Sequence, residues 1–175
     1  MSYQLDWLQT LEVIFIGDSW MWTALSLIPI YILINLRSSG RIVKIIMSIF
    51  LGLSLYTDLA IWRSGWQING EKMYFKAQFY SAYIDVPSSN IGFVSRDSQW
   101  WPEWRNIGAN LPRLSIGKYN MRNQDSALLF NYQNQSELLL ISFDGQYYLI
   151  GYPGIEILYD KLISLGAKEK RFESR

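Results

Sequence analysis

The chain has 175 residues, with 16 basic and 15 acidic side chains and neither histidine nor cysteine. This composition excludes disulfides, thiolate nucleophiles, imidazole bases and the common zinc and iron sites. The near-neutral balance argues against nucleic acid as a partner, because that affinity comes from a strongly basic face.

Residues 1–18 form a short leader with apolar positions at Leu5, Leu8 and Leu11 beside Trp7, read as an amphipathic segment lying along an interface. Residues 19–36, SWMWTALSLIPIYILINL, carry no charge. At a rise of about 1.5 Å per residue they cover roughly 27 Å, close to the hydrocarbon thickness of a bilayer. Residues 42–62, IVKIIMSIFLGLSLYTDLAIW, form a second apolar run with Lys44 near its start and Asp58 near its end. The expectation is a transmembrane hairpin over 19–62. Arg37, Arg41 and Lys44 in the turn would place it in the cytoplasm, with the N-terminus and the C-terminal domain outside. Ser48 and Gly52 offer a small-residue helix–helix contact.

Residues 63–72 read as a turn-rich linker. Residues 73–85 show partial alternation with many aromatics, which favours strand. Residues 97–114, DSQWWPEWRNIGANLPRL, read as irregular, punctuated by two prolines and a glycine. Strand-like pieces follow at 115–121, 127–133, 137–143 and 146–152. Asp144-Gly145 is the strongest hairpin signal among them. Apolar positions Ile155, Leu158, Tyr159, Leu162 and Leu165 then make one helical face, with Gly166 as its stop. The charged tail 167–175 reads as disordered.

A meander closed by one amphipathic helix is the layout of a pleckstrin-homology-like barrel. The segments YFKAQFYSAYIDVPSSNI, WRNIGANLPRLSIGKYNM, SALLFNYQ and YYLIGYPGIEILYDKL resemble the bacterial membrane-attached pleckstrin-homology domain family. The resemblance implies an α+β fold: two N-terminal transmembrane helices, then a pleckstrin-homology-like antiparallel β-barrel or meander over 73–166 with a C-terminal amphipathic helix. It implies neither catalysis nor a settled ligand.

Trp100, Trp101 and Trp104 either form a recognition surface or fold over an open end of the barrel. Arg105 either meets an acidic partner or pins its loop through backbone carbonyls. Arg96, Arg105, Arg113, Lys118 and Arg122 could share a rim facing anionic lipid. Asp97, Glu103 and Asp125 show no spacing that fixes a catalytic carboxylate pair, so neither enzyme activity nor a cofactor is expected. The leading expectation is a membrane-anchored interaction module that binds a protein partner or envelope component through Trp100, Trp101, Trp104, Arg105, Arg113 and Lys118. The alternatives are a peripheral anionic-lipid-binding domain, or a small accessory subunit assembling through its hairpin with a transporter or with copies of itself.

Overall fold

The computed structural model describes residues 1–5, 8–9, 41–111 and 113–172, with the backbone alone at 47, 50, 54, 55 and 57–60. Two sheets carry the fold. The first has the order β1 (Ser2–Gln4), β2 (Gly65–Asn69), β3 (Lys72–Ala77), β4 (Tyr80–Asp85), all antiparallel. The second contains β5 (Asn90–Ser95), β6 (Pro102–Leu111), β7 (Leu114–Met121), β8 (Ser126–Tyr132), β9 (Glu137–Phe143), β10 (Gln146–Gly151) and β11 (Lys168–Glu169). Its order is β11-β5-β9-β10-β8-β7-β6. Helix α1 (Arg41–Trp62) enters the first sheet, and α2 (Ile155–Ser164) lies between β10 and β11 in the chain.

The β9–β10 hairpin turns at Asp144-Gly145, and both residues have positive φ as a type I′ turn requires. The four pieces after residue 114 are not a simple meander. β10 inserts between β9 and β8 and runs parallel to β8. The connection over residues 133–136 therefore steps across one strand position, about 10 Å. Asn131 supports that step, because its side-chain oxygen accepts from the Gln135 amide at 2.9 Å.

Both faces of the larger sheet are buried. Ile91, Phe130, Leu139, Ile141 and Ile150 face the first sheet and α2, together with Trp66, Phe75, Leu158 and Leu162. Val94, Leu129, Leu138, Leu140 and Leu149 face the other way, where Phe172 and the half-buried Trp100, Trp101 and Tyr147 pack on them. That is why 138–141 is an unbroken apolar run rather than an alternating one: successive residues fill opposite layers.

Several expectations are corrected. Among the described residues no helix is long and apolar enough to cross a membrane. The first expected span, 19–36, lies outside the described residues. The second is α1, where Arg41, Lys44 and Asp58 leave residues 45–57 as the longest uncharged stretch. That is about 20 Å of helix against ~30 Å of hydrocarbon. The described residues therefore do not support a fold with two transmembrane helices, a two-span address or the sidedness that would follow from one.

The start of the leader is a strand. Leu5 is buried, and the Tyr3 ring stacks on Tyr152 at 4.4 Å. The expected linker 63–72 contains β2, whose Trp66 and Ile68 belong to the core. The start of the expected tail is a strand: β11 pairs parallel to β5, and the Lys170 amide donates to Ile91 O at 2.8 Å.

Tyr152 is 5% exposed, yet its hydroxyl has no hydrogen-bond partner among the described residues. Burial, then the neighbouring Tyr3 and Glu156, push its phenol well above the ordinary value of 10.0. A phenol raised in this way adds stability below pH about 10 and loses it as pH rises toward its folded-state value. Tyr152→Phe removes an unsatisfied buried oxygen, so it should raise unfolding stability by about 1 kcal/mol at neutral pH. It should also flatten the loss above pH 10, and denaturant titrations at neutral and alkaline pH will show both effects. A loss of stability at neutral pH would mean that the hydroxyl is bonded.

Candidate functional site

The segment expected to be irregular is mostly strand. β6 pairs antiparallel with β7, with extra residues at Glu103 and Asn106 where the register shifts. Pro102 sits at the first position of an outer strand, where a missing amide donor costs least. Gly108 and Gly117 face each other with positive φ. A Cβ on Gly108 would collide with the Ile116 carbonyl oxygen, and one on Gly117 with that of Ile107. The breakers therefore mark a close strand pair. Asn106 Nδ2 donates to Asn120 Oδ1 at 2.7 Å, and Ser115 Oγ donates to Asn110 Oδ1 at 2.7 Å, which fastens β6 to β7 at both ends.

β6 is the last strand of its sheet, so among the described residues its far side is unpaired. Directly paired residues share a face. Leu111, Ala109, Ile107 and Trp104 oppose Leu114, Ile116, Lys118 and Asn120 respectively, so all lie on the core-facing side. The row leaves the core as it runs back along the strand. Leu111 and Ala109 pack against core residues, whereas Ile107 is 53% and Trp104 71% exposed.

The structure divides the six expected binding residues. Trp104 and Lys118 share the overhanging face. Arg105 is exposed but opposes Tyr119 on the reverse face. Burial raises the Tyr119 phenol, while Ser115 and the Arg105 guanidinium pull it part-way back. Trp100 and Trp101 are half-buried, with the Trp100 ring 5.2 Å from Tyr147 and 5.3 Å from Phe172. Arg113 lies at the β6–β7 turn, at the other end of the hairpin from Arg122. Strand β7 separates the two by roughly 23 Å. The five bases therefore make no single rim. Ser48 and Gly52 are exposed on α1, and a Cβ at Gly52 would meet nothing within 4 Å.

The loop is pinned by an arginine, though not by Arg105. Arg122 Nη1 donates to Arg96 O at 2.5 Å and to Ser98 O at 3.5 Å. The Arg122 amide donates to Trp101 O at 3.1 Å, and the Asn123 amide to Gln99 O at 2.9 Å. Nothing in the spacing separates Arg122 from Arg105, because the pairing partner of the loop is distant in sequence. Among the described residues no three histidine, cysteine or acidic side chains gather as a metal set would require.

No family model matches the chain, and no curated protein or solved structure is found to be similar to it.

Arg122→Ala should destabilise the protein by about 1 kcal/mol and shift tryptophan emission to the red as Trp100 and Trp101 loosen. Arg122→Lys keeps the charge but not the guanidinium geometry, so it should restore only part of either effect. Unchanged melting and emission in the alanine variant would remove Arg122 from this role.

Proposed function

We propose that the protein is a non-catalytic interaction module that takes up an extended segment of a protein partner along β6. The observation that carries this reading is the exposed Trp104–Ile107 pair on the core-facing row of an outermost strand. A partner strand added there would gain backbone hydrogen bonds from the edge and side-chain anchorage from the two apolar groups. Tryptophan is the residue type most enriched among dominant interface anchors. Lys118 sits opposite Ile107 and gives the same patch a positive charge, which favours an acidic or carboxylate-bearing partner segment. The extra residues at Glu103 and Asn106 break the regular ladder, so pairing is confined to residues 107–111. That limit also protects the edge from indiscriminate self-pairing.

Placing a benzoylphenylalanine photo-crosslinker at Trp104 in living cells tests this reading. One discrete adduct is expected, and it should disappear when Ile107→Arg is added. The same crosslinker at Tyr83, which is 73% exposed on the first sheet, should not give that adduct. A ladder shared by both positions, or no adduct from Trp104, would remove β6 as the binding edge.

A further inference from the structure

Among the described residues, helix α1 is held at its C-terminal end. Ile61 is buried in the core, Gln4 Nε2 donates to Trp62 O at 3.2 Å, and the Tyr56 ring stacks on Phe79 at 5.6 Å. Over residues 41–49 every described side chain is exposed. Ile42, Ile45, Ile49 and Tyr56 fall at helical spacing on one stripe and are 73, 54, 59 and 61% exposed. Phe79, 45% exposed, extends the stripe onto the β3–β4 turn. Arg41 flanks this stripe, and Lys44 stands further round the helix at the same N-terminal end, where the first turn holds no acid. With Ile45, Ser48 and Ile49 they line a shallow open groove.

Such a face requires a partner that is apolar and negatively charged together. A bilayer surface containing anionic lipid supplies both: acyl chains for the isoleucines and phosphates for the two cations. Tyr56 and Phe79 lie where aromatic rings sit at a membrane interface. The uncharged length, residues 45–57, suits a helix lying in the interface rather than crossing it. A parallel pair of α1 helices is less suited, because it would set Arg41 and Lys44 against their own copies. We propose that α1 docks lengthwise on an anionic lipid surface through the stripe over residues 42–56, with Arg41 and Lys44 on headgroup phosphates. This surface is separate from β6, and the two assignments stand or fall independently.

Because the chain has no cysteine, Ile45→Cys in the full-length protein can carry a single environment-sensitive nitrobenzoxadiazole label. Gln67→Cys, on the exposed side of β2, is the control. With vesicles of phosphatidylcholine and phosphatidylglycerol the label at 45 should shift to the blue, and the label at 67 should not. Adding Arg41→Gln and Lys44→Gln should weaken the 45 response on the order of 10- to 30-fold, and raising the salt should do the same. Melting temperature should be unchanged, since both side chains are exposed. No shift at 45, an equal shift at 67, or an equal response on pure phosphatidylcholine would overturn the proposal. A shift at 45 that grows with protein concentration in the absence of lipid would overturn it in favour of a second copy of this chain.

Discussion

The seven-stranded sheet is apolar on both faces, and the rest of the structure answers the need to cover it. Leu138, Leu139, Leu140 and Ile141 are at most 1% exposed although successive residues point to opposite sides. Each such side chain contributes about 1.5–3 kcal/mol when removed from water, so an uncovered face would leave the domain unstable. One face is covered by the four-stranded sheet and α2. The other is covered by the Trp100–Trp101 loop and by Phe172, beyond β11. The tryptophan pair and Arg122 are therefore parts of a second core layer. The exposed Trp104 and Ile107 lie where the cover stops.

The cover stops at β6. This strand extends past the core, its row of apolar side chains passes from packed to exposed, and its two extra residues interrupt the ladder. An unpaired strand edge with an aromatic anchor is suited to recognition. A regular, flat edge of that length would invite aggregation. Confining the regular ladder to residues 107–111 reconciles the two. Helix α1 presents a different situation: one end is tied to the domain, and the remainder is apolar and exposed with no described element covering it.

Local chemistry made much of the β domain legible in advance. Asp144-Gly145 specified its hairpin because a tight turn needs two residues tolerant of positive φ. The spacing of Ile155, Leu158 and Leu162 specified α2, because one face of that helix must meet the core. Non-local pairing was not legible. Nothing within residues 126–151 announces that β10 threads between β8 and β9, because strand order is decided by which neighbours bury which face. β6 was hidden for a related reason. Pro102 and Gly108 break isolated strands, yet an edge position and a facing glycine accommodate both. The Trp100–Trp101–Trp104 cluster was visible as a cluster, but its division between core and surface depends on a bulge that composition cannot place. The apolar run of α1 was visible too. Its charges at Arg41, Lys44 and Asp58 leave an uncharged stretch too short to span a bilayer.

Native-state hydrogen exchange tests most directly whether the doubly buried sheet is the stable centre and β6 its open margin. Amides of residues 139–141 and 148–150 should exchange only through global unfolding, whereas those of residues 103–107 should exchange through local opening at least a hundredfold faster. Uniform protection from β6 through β10 would contradict the account, because it would mean that the outer strand is as firmly held as the centre.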